Sequence, residues 1–205
     1  MRRRGRDGWR AWLPPAQRPG GAAPVAAAAG GLLVVALAVA LLRAGSGPGV
    51  TGAAPGPPVG GYRVSHWAGL LADASARTGL DPDLLEAVVL CESSGDPRAV
   101  SPVGAKGLMQ IMPLTHVDAQ RRFGLPAGDL FDPAHNVDVG SRYLAYLLDR
   151  FGGDRRLAVA AYHMGPTRVA RLRRQDPNLS SEQLVAAHAG PATRAYVERV
   201  LREAG

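Results

Sequence analysis

Hydrophobic positions follow two regimes along this chain. From Ala22 to Leu42 there are 21 residues without a charge, whereas from Trp67 onward apolar residues recur every three or four positions between polar ones. The second pattern predicts helices. Trp67, Leu70, Leu71 and Ala74 form a first stripe behind Ser65 as a candidate cap, ended by Thr78-Gly79. Asp81-Pro82 supplies a cap followed by proline at the first helical position, and Leu84, Leu85, Val88 and Val89 make the stripe of a second helix. Gly140, Leu144, Leu147, Leu148 and Phe151 mark another, closed by Gly152-Gly153. Asp154 opens one carrying Leu157, Ala160, Ala161 and Met164 that stops at Gly165-Pro166. Ser181 to Ala189 and Ala192 to Ala204 supply two more. No run alternates with period two long enough for a strand, so the expected class is mainly α.

The uncharged run belongs to different physics. As a helix its 21 residues span about 31 Å, close to the hydrocarbon thickness of a bilayer. Six arginines precede it and only Arg43 follows closely, which places the N-terminus in the cytoplasm and the domain outside. Its strongly apolar part, Leu32 to Leu42, is short enough for a cleaved signal sequence as well. The expected organisation is therefore a basic tail over 1–21, a membrane anchor or signal over 22–42, a Gly/Pro/Ala-rich linker over 43–61 and a helical domain over 62–205. A retained segment gives a single-pass protein of the cell membrane with its domain outside the cytoplasm; a cleaved one gives secretion to the cell wall.

Charge then excludes one class of partner. The formal net charge of +7 resides almost wholly before Ala44, and the remainder carries 17 basic and 16 acidic residues. A near-neutral domain lacks the phosphate-contacting surface of a nucleic-acid binder. The single cysteine, Cys91, permits no intramolecular disulfide, and the five histidines show no spacing that shares a helix face, so neither a metal nor another cofactor is expected.

The sharpest candidate for chemistry lies at the end of the second helix. Leu85, Val88 and Glu92 stand at i, i+3 and i+7, which puts a carboxyl on the buried stripe while Glu86 faces away. Burial disfavours the charged form, so the pKa of Glu92 is expected to rise far enough for it to hold a proton near neutrality, as a general acid must. The bland alternative is a glutamate near a helix end that pairs with an arginine. Periodicity alone does not separate the two.

The residues after Glu92 do separate them. The run from Glu92 to Pro113, ESSGDPRAVSPVGAKGLMQIMP, closely resembles the signature of the transglycosylase SLT domain, the soluble-lytic-transglycosylase family with a goose-type lysozyme fold. The resemblance continues through FDPAHNVDVGSRYLAYLLDRFGG and LAVAAYHMGP to TRAYVERVL, in the family's order. It implies a single helical lysozyme-like domain acting on peptidoglycan glycan strands, and, for a tethered member, partners in the cell-wall or secretion machinery.

By that resemblance Glu92 matches the acid that protonates the glycosidic oxygen between N-acetylmuramic acid and N-acetylglucosamine. It then acts as base on the sugar's own 6-hydroxyl, giving a 1,6-anhydro end. Tyr162 matches a tyrosine whose hydroxyl approaches that glutamate. Ser101 matches a serine near the acetamido group, and Gln110 and Met112 match positions lining sugar subsites. His163 and Met164 depart from the family's asparagine and alanine, and Ala192 from its glutamate; a histidine at 163 would carry charge near pH 6.5 and make sugar binding depend on pH. Leu108, Met109 and Ile111 are expected in the core, Gly104 and Gly107 in a tight loop, and Asp96 in a turn before Pro97. Arg168, Arg171, Arg173 and Arg174 read as a solvated face or as a contact for peptide-stem carboxylates. Two other functions stay open: a hydrolytic muramidase using Asp129, Asp132 or Asp138 as a second acid, and a glycan-binding module of weakened activity.

Overall fold

A computed structural model describes residues 63–205. The anchor or signal over 22–42 and the linker lie outside the described residues. Eight α-helices follow a 3-10 turn at Val64–Trp67: α1 (Ala68–Thr78), α2 (Pro82–Ser93), α3 (Pro113–Phe123), α4 (Pro133–Arg150), α5 (Arg155–Met164), α6 (Pro166–Gln175), α7 (Ser181–His188) and α8 (Pro191–Glu203). No helix among the described residues is long and apolar enough to cross a membrane.

Local chemistry sets most of the boundaries. Asp81, Asp132 and Asp154 cap α2, α4 and α5 by accepting hydrogen bonds from the backbone N–H of Asp83, His135 and Leu157, and α2 and α4 continue with proline in the first turn. Ser180 and Gln183 form a reciprocal capping box at α7. Ser65 is not a cap: it sits inside the 3-10 turn, and α1 starts behind Trp67 without a side-chain cap.

Helix α5 threads the centre. Seven of its residues are buried and it packs against α4, α6, α7 and α8, while α2 lies between α1 and α8. Small side chains at Ala158, Ala160 and Ala161, none of them exposed, let these helices approach closely. Around them Leu84, Leu85, Val88, Leu144, Leu147 and Val197 form the aliphatic body of the core. Burial of each such side chain contributes about 1.5–3 kcal/mol.

Between α2 and α3 the chain makes a compact loop instead of a helix. Lys106 and Ile111 exchange backbone hydrogen bonds at 3.1 and 2.9 Å, and the Gly107 N–H donates to the Ala99 carbonyl at 2.9 Å. Gly107 has φ +75°, and a side chain there would collide with the Asn136 amide and the Leu130 carbonyl. Asn136, fully buried on α4, clasps the loop: its Oδ1 accepts from Met109 N at 2.8 Å, and its Nδ2 donates to the carbonyls of Lys106 and Leu130 at 2.9 and 2.8 Å. The Ser93 hydroxyl donates to the Leu108 carbonyl at 2.8 Å and ties the loop to the end of α2. Leu108, Met109 and Ile111 point into the core as expected.

Candidate active site

Three core helices converge on Glu92. It lies in the last turn of α2, beside the apolar stripe of Leu85 and Val88, with Glu86 exposed on the other side. Tyr196, one turn into the buried face of α8, donates its hydroxyl to Glu92 Oε1 at 2.6 Å. The Glu92 side chain keeps some exposed surface, yet its carboxyl is surrounded by protein. Burial, opposed in part by the Tyr196 hydrogen bond, leaves that carboxyl raised from 4.5 to about 7. The carboxyl can therefore hold a proton near neutrality, the state a general acid needs.

Tyr162, on α5, is buried in the same neighbourhood, and its phenol is raised well above the ordinary value by burial first and by the Glu92 charge second. Its hydroxyl does not orient the glutamate directly. It donates to the Met109 carbonyl at 2.8 Å. That buried carbonyl needs a donor, and Tyr162 supplies it, so the hydroxyl joined to Glu92 belongs to Tyr196. Tyr162 lies near enough to feel the Glu92 charge, while the hydrogen bond to Glu92 comes from Tyr196. A signal for it exists in the sequence: a tyrosine within the stripe Val197, Val200 of a helix must find a partner for its hydroxyl, the same reasoning that applies to Tyr162.

His163 also departs from expectation. Its ring stacks on Tyr196, with centroids 4.4 Å apart and planes 28° from parallel, and its Nδ1 shares a hydrogen bond of 3.1 Å with Thr193 Oγ1. Burial lowers its pKa from 6.5 to about 4. The expected change of charge near pH 6.5 is therefore displaced far to the acid side, and the ring is neutral where Glu92 titrates.

The remaining predicted site residues lie in the loop after α2. Ser101 Oγ accepts from Ala105 N at 3.0 Å and holds its own turn, leaving its proton to donate. Gln110 adopts a left-handed backbone, φ +47°, and its Nε2 is engaged by the Ala99 and Gly107 carbonyls at 3.1 and 3.0 Å. Met112 is half-buried at the start of α3. Tyr162 and Met109 link this loop to α5, so the loop and the carboxyl are fixed to one frame.

The other acids have employment elsewhere. Asp129 Oδ1 accepts from Phe131 N, Asp132 caps α4, and Asp138 faces Arg77 and Arg142 at 3.4 and 3.1 Å. Asp96 stands in a turn, accepting from Arg98 N at 2.8 Å. Burial raises the Cys91 thiol to about 11, which leaves it protonated and inert at neutral pH. Among the described residues no three side chains of His, Cys, Asp and Glu gather as a metal-ligand set. His116 and His135 approach as a pair, Nε2 to Nε2 at 2.8 Å, where they join α3 to α4. Arg168, Arg171 and Arg174 are exposed on α6, and Arg173 donates to the Leu179 carbonyl at 2.5 Å.

The structure is a helical domain with Glu92, its carboxyl raised, at the end of a core helix. The transglycosylase SLT domain model matches residues 69–185, and the chain belongs to that family. Over 120 residues it is 38% identical to the soluble lytic murein transglycosylase of Escherichia coli K12, a stretch covering 56% of this chain and 19% of that protein. It is 34% identical over 138 residues to the membrane-bound lytic murein transglycosylase C of Klebsiella pneumoniae, covering 62% of this chain and 37% of the relative. Among solved structures, an inactive glutamate-to-glutamine variant of the lytic transglycosylase Slt of Pseudomonas aeruginosa superposes with a TM-score of 0.62 at 34% identity, covering 66% of this chain and 23% of that one. The chain thus spans well under half the length of these relatives.

Proposed function

We propose that this protein is a peptidoglycan lytic transglycosylase that cleaves the β-1,4 bond between N-acetylmuramic acid and N-acetylglucosamine, with Glu92 as its one acid and base. Protonated Glu92 gives its proton to the glycosidic oxygen as the bond from the muramic C1 breaks. The N-acetyl oxygen of the same sugar supports the electron-poor C1. Glu92, now a carboxylate, takes the proton of the muramic 6-hydroxyl, and O6 closes on C1. One bond to C1 is exchanged for another, no water is consumed, and Glu92 ends protonated as it began. An internal hydroxyl held near C1 has a large effective concentration, which removes the need for a second carboxylate to activate water.

The observation that carries this reading is the Glu92 carboxyl itself, raised to about 7 and held by Tyr196. Its support against a hydrolase is that Asp129, Asp132 and Asp138 are each engaged by other groups. The inactive glutamate-to-glutamine relative adds to it. The segment over 22–42, as anchor or signal, would carry the domain to the outer side of the cytoplasmic membrane, and one relative is described as membrane-bound.

Digestion of peptidoglycan in water enriched in oxygen-18, followed by mass spectrometry of the soluble fragments, tests the reaction. Lytic transglycosylation gives 1,6-anhydro ends free of the label. Reducing ends that carry it would make the protein a hydrolase. No fragments from a folded protein that still sediments with the wall would make it a binding module.

A further inference from the structure

We propose that His163 is a positioning residue: with Thr193 it clamps the Tyr196 phenol against Glu92 and so sets the proton affinity of the acid. This rests on the reading of Glu92 as the acid, and extends it to a residue at which the chain departs from its family's pattern. Three contacts carry the inference. Thr193 and Tyr196 stand three residues apart on α8, on the same buried face. His163 reaches both from α5, bonding Thr193 through Nδ1 at 3.1 Å and lying flat on the Tyr196 ring at 4.4 Å. Tyr196 in turn delivers the short bond of 2.6 Å to Glu92.

A phenol has two soft torsions, and a hydrogen bond to the hydroxyl alone does not fix the ring plane. The imidazole does so from one side. Its own plane is held by Thr193, because an imidazole bonded through one nitrogen loses most of its freedom to flip. Tyr196, Tyr162 and Cys91 each interact electrostatically with Glu92, and of these only Tyr196 bonds to it. Loosening Tyr196 removes a bond that favours the carboxylate, so the Glu92 titration midpoint rises. A ring that merely fills space has the opposite effect: its loss admits water, relieves the burial of Glu92 and lowers the midpoint.

The sign of the shift therefore decides. Carbon-13 carboxyl resonances of the full chain, with Glu92 assigned by its disappearance in Glu92→Gln, give the midpoint without reference to turnover. Tyr196→Phe is expected to raise it by about half a pH unit to one unit, the equivalent of one ordinary hydrogen bond. His163→Ala is expected to raise it in the same direction, and the double variant no further than Tyr196→Phe alone. His163→Phe, which keeps a flat ring on Tyr196, is expected to recover at least half of the rise, and guards against a fold weakened by alanine. A fall or no change in His163→Ala, or shifts that add in the double variant, overturns the proposal. The two readings fail separately: a wall digest without anhydro products strikes the enzymatic reading and leaves the midpoints standing, whereas unmoved midpoints beside normal products strike only the clamp.

Discussion

Replacing the acid should make this protein more stable, and increasingly so as the pH rises. Glu92 has an unfolded value near 4.5 and a folded value of about 7, so between those limits the folded chain keeps a proton that the unfolded chain has lost. Stability from this group is therefore present below the lower value and falls as the pH rises through the upper one. Linkage puts the cost at about 1 kcal/mol at pH 5 and about 3 kcal/mol at pH 8. These are ceilings, because the side chain keeps some contact with water. Glu92→Gln removes the cost while its amide oxygen still accepts from Tyr196.

His163 pulls the other way. Its value falls from 6.5 to about 4, so the unfolded chain binds the proton first on acidification and stability drops below pH 6.5. That amounts to at most about 2 kcal/mol at pH 5. Together the two groups nearly cancel, and the native protein should show a flat profile between pH 5 and 8, apart from other titrating groups. Glu92→Gln should instead lose stability on acidification. Urea unfolding at the two ends of this range, read as midpoints at constant slope, measures the difference. A gap between variant and native protein that does not widen with pH, or a variant less stable at pH 8, would refute the reasoning.

Other outcomes rest on the same contacts. Activity on peptidoglycan should decline as pH rises through about 7, because the acid loses its proton, and a rate profile of the native protein checks it. Asn136→Leu should lower stability by about 2–4 kcal/mol, since it removes the partner of the Met109 N–H and of the Leu130 carbonyl and the second donor of the Lys106 carbonyl, and should raise KM by disordering the loop; thermal unfolding and kinetics report the two effects. Gly107→Ala should be strongly destabilising for the same clasp, with a drop in melting temperature as the readout. Cys91 should resist maleimide in the native protein at pH 7 and react on unfolding, which a time course by mass spectrometry follows.

Most helices were legible in the chain from an apolar stripe or a start signal, whereas α3 and α6 were not. Helix α3 buries only Thr115 and Ala119, and α6 only Val169 and Leu172 among its arginines, so neither shows a stripe wide enough to recognise. Helix α4 begins at Pro133, a turn and more before Gly140, although Asp132-Pro133 repeats the start signal of Asp81-Pro82; the polar residues His135, Asn136 and Asp138 masked its first turns. Asn136 is buried there because it serves the loop, a demand set 30 residues away.

At the site, periodicity placed Glu92 beside the core, and resemblance singled it out as the acid. What neither reached was the network around it. Which tyrosine meets the carboxyl depends on how α8 lies across α2 and α5, a tertiary fact that no local spacing encodes. The environment of His163 is of the same kind: its ordinary pKa is a property of the residue, and its lowered one of burial between α5 and α8. The loop glutamine is a third case, for Gln110 is tied down by carbonyls of its own turn.

The central claim is that Glu92 does both proton transfers. Incubating peptidoglycan with the native protein and with Glu92→Gln at equal, verified folding, and quantifying soluble muropeptides by mass spectrometry, tests it most directly. Anhydro-ended fragments are expected from the native protein, and a loss of at least about a thousandfold from the variant, which still sediments with the wall. Release by the variant at a rate within about tenfold of the native protein would contradict it.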